Sequence, residues 1–152
     1  MRKITILFSS LIIPIVSLAQ VVSPVKTLAW SDTLRSLEFS DYKLHEALYF
    51  NGAAYDDGAY GYLPFYFESV SVPVDGIPSV QLADEVYAPA TVKKGMLPAD
   101  LFKKVETAPI IKAAMGYEMK KPFVQLSIIP FRKNPATGIV ERLISFRYTI
   151  SV

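Results

Sequence analysis

The stretch that decides the fold lies near the C-terminus and reads FVQLSIIPFR (residues 123–132), KNPATG (133–138) and IVERLISFRYTI (139–150). Its two outer runs are rich in β-branched and aromatic residues, which favour strands over helices. Between them, Pro135 suits the second position of a type I turn, and Gly138 suits a left-handed position. The stretch therefore predicts an antiparallel hairpin of two long strands joined by a loop of three to five residues.

Alternation assigns the faces of these two strands, because successive side chains in a strand point to opposite sides. One side of the first strand carries Val124, Leu126 and Ile128. One side of the second carries Ile144, Phe146, Tyr148 and Ile150, with Arg142 extending that row toward the turn, whereas Ser145, Arg147 and Thr149 are expected to face water. Pro130 cannot donate a hydrogen bond to a ladder, so it predicts an edge strand or a strand end.

The rest of the chain from Gln20 onward repeats this rhythm, with Pro or Gly about every ten positions and β-rich runs between them. Further strands are predicted over residues 42–50, 65–72, 79–87 and 108–119, and turns at Asn51-Gly52, Asp56-Asp57-Gly58 and Asp75-Gly76. Residues 97–104 carry Pro98 near a first helical turn and lysines at its end, which favours one short helix. Residues 20–152 are therefore expected to form one all-β domain.

The N-terminus has the pattern of an export signal. Arg2 and Lys3 precede an apolar stretch over residues 4–16, and Ser17-Leu18-Ala19 supplies the small residues that a signal peptidase requires. The apolar run is shorter than the roughly 20 residues needed to cross a bilayer. We therefore expect residues 1–19 to be a signal peptide that is cleaved between Ala19 and Gln20, with the product exported to the periplasm or the cell surface and no transmembrane segment left.

Composition excludes several classes of function. The chain of 152 residues has 16 Lys and Arg against 14 Asp and Glu, too small an excess to hold nucleic acid. It has no cysteine, so disulfides, thiolate metal sites and a cysteine nucleophile are excluded. Its one histidine, His45, excludes a His-pair metal site and is expected to be an ordinary structural residue. No cofactor, metal or catalytic residue is predicted.

Eight aromatic residues fall between Tyr49 and Phe67. The simpler interpretation is packing between strands. Alternatively, Tyr55, Tyr60 and Tyr62, which lie in the Gly-rich loop, form a contact surface for a protein or a sugar. A carbohydrate-binding or adhesive module is therefore the alternative function.

The order of these segments resembles the N-terminal region of the gingipain-like proteins of Bacteroidetes, especially the PorU-type sortase of the type IX secretion system. The similar stretches are Thr27-Leu28-Ala29-Trp30, residues 48–55, Leu63-Pro64-Phe65-Tyr66, residues 80–84, and residues 124–135 with their return strand. The resemblance covers most of residues 20–152.

The resemblance implies a jelly-roll β-sandwich that precedes a caspase-like cysteine-peptidase domain, assists its folding and keeps it latent. Because the chain carries neither the catalytic cysteine nor the catalytic histidine region of that family, it is expected not to be an enzyme. It is expected to bind a peptidase domain in cis, as part of a longer protein, or in trans. In a latency mechanism a basic side chain would enter an acidic specificity pocket, and the candidate donors are Arg35, Arg132, Lys93 and Lys94.

The cleavage prediction can be tested by sequencing the N-terminus of the protein secreted from cells. The mature chain is expected to begin at Gln20, because Ala19 is the small residue at the last position of the signal. Recovery of a chain that begins at Met1 would contradict the prediction.

Overall fold

A computed structural model describes residues 19–56 and 60–152. The strands are β1 (Gln20–Val22), β2 (Lys26–Thr27), β3 (Arg35–Glu38), β4 (Leu44–Ala47), β5 (Tyr66–Ser71), β6 (Ser79–Pro89), β7 (Ile110–Glu118), β8 (Lys121–Ile129), β9 (Phe131–Lys133) and β10 (Val140–Ser151). All strand pairs are antiparallel, and no helix occurs in the described part of the chain. The predicted all-β class is therefore confirmed.

Two sheets form the sandwich. In the first, β10 is central: it pairs along one side with β6 and along the other with β9, β2 and β1 in succession. In the second, β8 lies between β5 and β7. Strands β3 and β4 form a separate hairpin.

The main core lies between β8 and β10. Val124, Leu126 and Ile128 are fully buried, and they belong to the same cluster as Phe146, Tyr148 and Ile150. These are the inward rows that alternation predicts, so the face assignment is confirmed for these six residues. Burying each such side chain stabilises the fold by about 1.5–3 kcal/mol.

The predicted long hairpin is wrong in its extent. Strand β8 belongs to the sheet opposite β10, and only the three residues of β9 pair with the start of β10. The chain changes sheets at Pro130, which has no N–H for a ladder; its carbonyl accepts a hydrogen bond from Leu143 N at 2.9 Å. Pro130 is thus a strand end, as predicted.

The turn chemistry between β9 and β10 is as predicted. Asn134 N donates to Ile139 O at 2.8 Å, and Gly138 N donates to Asn134 O at 2.7 Å. Gly138 has a φ of 72°, the left-handed region that favours glycine. The loop therefore has four residues, 135–138, between Asn134 and Ile139, the last hydrogen-bonded pair.

A β-bulge overturns the predicted face of Ile144 and Arg142. Opposite β6, the register passes from Leu143 with Tyr87 to Ser145 with Val86, so Ile144 is an extra residue on β10. The extra residue inverts the alternation, and Leu143 rather than Ile144 is fully buried. Arg147 is exposed as predicted, whereas Ser145 and Thr149 are half-buried.

A second bulge restores the register a few residues further along. It lies on β6 at Asp84–Glu85, where the register passes from Ser145 with Val86 to Arg147 with Ala83. Asp84 has a φ of 51° at this point. The two bulges offset each other, so the pairing of β10 with β6 returns to its earlier register, and beyond Ser145 the residues of β10 alternate as predicted.

The other predicted elements are met in part. Strands β5, β6 and β7 fall within or close to the predicted ranges, whereas the strand predicted over 42–50 is reduced to β4. Residues 97–104 form no helix, because Leu101 N bonds to Pro98 O and Lys103 N to Asp100 O in separate turns. Gly52 has a φ of 80° in its predicted turn, and the Asp56-Asp57-Gly58 turn lies partly outside the described residues.

The sandwich has two distinct ends. The terminal end contains Ala19 and Val152, whose backbones are hydrogen bonded, together with residues 72–78 and the β7–β8 turn. The loop end contains the β3–β4 hairpin, residues 48–65, residues 90–109 and the β9–β10 turn. A second core cluster underlies the loop end and consists of Leu48, Leu63, Ala90, Val105, Ile129 and Phe131.

A polar cluster joins the two sheets beside the main core. Glu68 on β5 accepts hydrogen bonds from Lys26 Nζ on β2 at 2.8 Å, from Tyr148 Oη on β10 at 2.8 Å, and from Tyr66 Oη. Burial raises the pKa of Glu68, but the bonds from Lys26, Tyr66 and Tyr148 outweigh it and hold the pKa below its usual value. Ionised Glu68 therefore stabilises the folded state.

The Glu68→Gln variant is expected to unfold with a free energy about 1–2 kcal/mol lower than the wild type at pH 7, since hydrogen bonds to a charged group are lost. The folded-state pKa is depressed, so this contribution is present above the ordinary carboxyl value of 4.5 and is lost as the pH falls through the folded-state pKa. Urea denaturation at several pH values measures the difference. Glu118→Gln, at an exposed position, is the control; an equal loss in both variants would contradict the prediction.

Candidate protein-contact surface

The hydroxyl of Tyr55 donates a hydrogen bond to Leu48 O at the loop end, at 2.7 Å. The residue is half-buried, and burial raises the pKa of its phenol to about 12. A phenol bonded to a backbone carbonyl in this way serves packing.

Tyr62 belongs to an aromatic cluster beneath the β3–β4 hairpin. Its ring stacks on His45 with centroids 4.1 Å apart and lies 4.4 Å from Phe39. Phe39 also contacts His45 and Tyr55, at 5.7 and 6.0 Å. We call these four residues, Phe39, His45, Tyr55 and Tyr62, the hairpin aromatic cluster.

His45 has a structural position in this cluster. Its Nε2 lies 2.7 Å from Asp41 Oδ2, and its ring is covered by Tyr62. The bond from His45, with a second from the Lys43 backbone, lowers the pKa of Asp41. The arrangement holds the hairpin tip against its base.

Tyr60 faces a different neighbour. Lys112 Nζ lies over its ring at 4.8 Å from the centroid, and the ring packs against the second core cluster. A sugar-stacking platform needs an open ring face, and the rings of Tyr60 and Tyr62 are each engaged by another side chain. The three loop tyrosines are thus brought to the same end of the sandwich, but their contacts favour packing.

A groove of about 490 Å³ runs between the hairpin and the 96–104 segment. It is lined by His45, Glu46, Tyr60, Gly61, Tyr62, Met96, Pro98, Asp100, Leu101, Lys103 and Lys104. Two carboxylates and two ammonium groups lie along its walls, so their formal charges cancel. Within residues 19–56 and 60–152, no three potential metal ligands converge.

Three of the four basic donor candidates are engaged by other side chains. Arg35 lies over the Tyr49 ring at 4.5 Å. Arg132 Nε bonds Glu141 Oε2 at 2.8 Å and its guanidinium lies 3.6 Å from the Tyr87 centroid. Each of these two side chains would have to give up such contacts before it could enter a pocket on another protein.

Lys93 and Lys94 lie side by side but differ in their contacts. Lys93 forms an ion pair with Asp32 at 2.5 Å. Lys94 is exposed, and its backbone is bridged to Thr33. The structure shows no ion pair or ring contact of the Lys94 side chain with the described residues, and Gly95 after it has a φ of 96°. Of the four candidates, Lys94 is therefore the one that no other side chain of the described residues holds.

The tip of the β3–β4 hairpin is a feature that sequence reasoning missed. Tyr42 is 87% exposed and has a φ of 57°, and Leu44 beside it is 72% exposed. No glycine or asparagine marks this turn in the sequence. The only signal is Ser40-Asp41, two ordinary turn formers.

Comparison with known proteins gives matches at the level of structure. No family model and no curated protein matches the sequence. A structure of the complex of the RgpB pro- and mature domains from Porphyromonas gingivalis matches with a TM-score of 0.52 and 12% identity, over 89% of this chain and 80% of that chain. A structure on the zymogenic latency of gingipain K from the same organism matches with a TM-score of 0.51 and 11% identity, over 88% of this chain and 98% of that one.

The chain has a gingipain pro-domain-like fold. At these identities the likeness establishes the fold, and it confirms the propeptide-like sandwich that the resemblance implies. In the described ranges, no helix has the length and apolar character of a membrane span.

The Tyr55→Phe variant tests the packing role of the loop tyrosines. Removal of the hydroxyl leaves the carbonyl of the fully buried Leu48 without this bond, so the free energy of unfolding is expected to fall by about 1 kcal/mol. Tyr42→Phe, at an exposed tip, should unfold as the wild type does in urea. A loss of equal size in both variants would contradict the assignment.

Proposed function

We propose that the chain is an exported, non-catalytic propeptide-like domain that assists the folding or maintains the latency of a gingipain-like cysteine peptidase, of the type of the PorU sortase of the type IX secretion system. The observation that carries the proposal is the likeness in fold to the pro-domains of RgpB and gingipain K. The first of those structures is a complex with a mature domain. The partner is thus a peptidase domain, in cis or in trans.

The chemistry of the chain fits a binder rather than an enzyme. Without cysteine it can supply no thiolate nucleophile, and His45 is stacked on Tyr62 and bonded to Asp41. Export to the periplasm or cell surface, proposed from the N-terminal signal pattern, would bring the domain to the compartment of a secretion sortase.

Latency requires that a group of this domain occupy the partner's substrate site. A basic side chain in an acidic specificity pocket would do so, and Lys94 is the candidate that no described side chain holds. Its position on the long segment between β6 and β7 supports this role, because long connections without regular structure are usually functional. The backbone bridge to Thr33 and the ion pair of neighbouring Lys93 with Asp32 would fix the segment while Lys94 reaches outward.

The test measures inhibition of gingipain-type peptidase domains encoded in the same genome, each purified and mixed with this chain. The wild type is expected to bind at micromolar concentration or better, about −8 kcal/mol, and to inhibit hydrolysis of peptides. Lys94→Ala is expected to weaken inhibition at least tenfold.

Lys93→Ala is the matched control, because it removes the same charge one residue away from a side chain already paired with Asp32. Its inhibition should stay within about threefold of the wild type, since an exposed ion pair contributes about 0–1 kcal/mol. Equal losses in the two variants would remove Lys94 as the blocking group. The absence of any complex would remove the proposed function.

A further inference from the structure

The β3–β4 hairpin presents apolar side chains to solvent at a point where the fold does not need them. Tyr42 and Leu44 are 87% and 72% exposed. The hairpin pairs with no other strand of the described chain, and none of the described residues makes a hydrogen bond or ring contact with the Tyr42 side chain. The Tyr42 phenol therefore does not contribute a hydrogen bond or a ring contact to the fold.

The backbone at Tyr42 is held in a conformation that costs free energy. Its φ of 57° lies in the left-handed region. Residues with a Cβ adopt this region at a cost in free energy, whereas glycine adopts it freely. The position is exposed, so glycine or asparagine would fit without any steric conflict. A strained residue whose side chain makes no internal contact points to a role outside the molecule.

The tip is also rigidly built. Tyr42 N donates to Phe39 O at 2.9 Å, and Lys43 N donates to Asp41 Oδ1 at 3.0 Å. The other oxygen of Asp41 is bonded to His45, and the hairpin aromatic cluster packs beneath. The backbone that carries Tyr42 is thus ordered before binding, which lowers the conformational entropy that association would cost.

The charges around the tip indicate the kind of surface that it fits. Residues 38–46 carry the carboxylates of Glu38, Asp41 and Glu46 against the one ammonium of Lys43. This excess of negative charge would be repelled by an anionic lipid surface and attracted by a basic rim on a protein. Tyrosine is moreover among the residues enriched at the centres of protein interfaces.

We infer that the hairpin tip is a preformed anchor for the peptidase partner, in which Tyr42 enters an apolar pocket with a basic rim. The inference rests on the proposed function and adds a second contact point to it. The bridge between Thr33 and Lys94 ties the base of the hairpin to the segment that carries Lys94. With a strand rise of about 3.3 Å per residue, the nine residue steps from Thr33 to Tyr42 span at most about 30 Å, a distance that one peptidase domain covers.

The test compares two substitutions of Tyr42 in the purified chain, one to glycine and one to phenylalanine. Tyr42→Gly removes the phenol and relieves the left-handed strain, so it is expected to raise the Tm slightly and to weaken binding to the peptidase domain at least tenfold. Tyr42→Phe keeps the ring and should bind within about threefold of the wild type. Isothermal titration calorimetry gives the affinity, and thermal unfolding shows that both variants are folded.

Met119→Gly is the matched control. Met119 is 92% exposed and has a φ of 47°, but it lies in the β7–β8 turn at the terminal end. Its replacement should raise the Tm in the same way and leave the affinity unchanged. A loss of binding in Met119→Gly with normal binding in Tyr42→Gly would assign the partner to the opposite end and overturn the inference.

The remaining outcomes separate the anchor from the proposed function. Normal binding by Tyr42→Gly overturns the anchor alone. Binding without inhibition by the wild type, with a tenfold loss in Tyr42→Gly, supports the anchor and contradicts latency. No binding by the wild type overturns both, and a Tyr42-dependent dimer in solution or binding to phosphatidylglycerol vesicles would assign the tip to another occupant.

Discussion

The contact between the inner rows of β8 and β10 is the constraint on which the rest of the structure depends. Each row supplies three fully or almost fully buried side chains to one cluster, from Val124 to Ile128 on one strand and from Phe146 to Ile150 on the other. Strand β10 also bonds other strands along both of its sides. Disturbing its inward row would therefore loosen every member of the first sheet as well as the interface with the second.

Trp30 connects this core to the loop end. Its indole N–H donates to Leu143 O at 2.7 Å, and its ring meets Phe50 and Phe131 edge-to-face at 4.8 and 5.3 Å. Phe50 belongs to the main core and Phe131 to the second cluster. The orientation of the loop end, and with it the position of the hairpin and of the Lys94 segment, is thereby fixed relative to the sandwich.

Sequence patterns predicted what depends on local chemistry. The inward rows of β8 and β10 follow from alternation, and the β9–β10 turn follows from Gly138. Such patterns could not predict the sheet to which each strand belongs. Only Pro130 separates β8 from β9, and a proline predicts that a strand ends but not which sheet the next strand joins. The bulge at Ile144 was equally hidden, because it depends on β6, a strand more than fifty residues earlier in the chain.

The candidate surface was less predictable than the fold for a physical reason. The composition of the loop drew attention to its tyrosines. Tyr55 and Tyr62, however, pack against Phe39 and His45 of the β3–β4 hairpin. Tyr42 was not singled out because only its backbone angle and its exposure distinguish it, and neither can be predicted from the residue type. The same holds for Lys94, whose availability follows from the contacts of its neighbours.

The bulge at Asp84–Glu85 also affects the free edge of the first sheet, which strand β6 forms. Strand β6 is eleven residues long and is bonded on only one side among the described strands, which would make a flat rim of this kind a template for intermolecular sheet growth. The left-handed φ of Asp84 bends this edge, Glu85 adds a charged side chain to it, and Pro89 ends it without a backbone donor. The same irregularity that restores the register between β6 and β10 thus protects the free edge of this sheet from pairing with another chain.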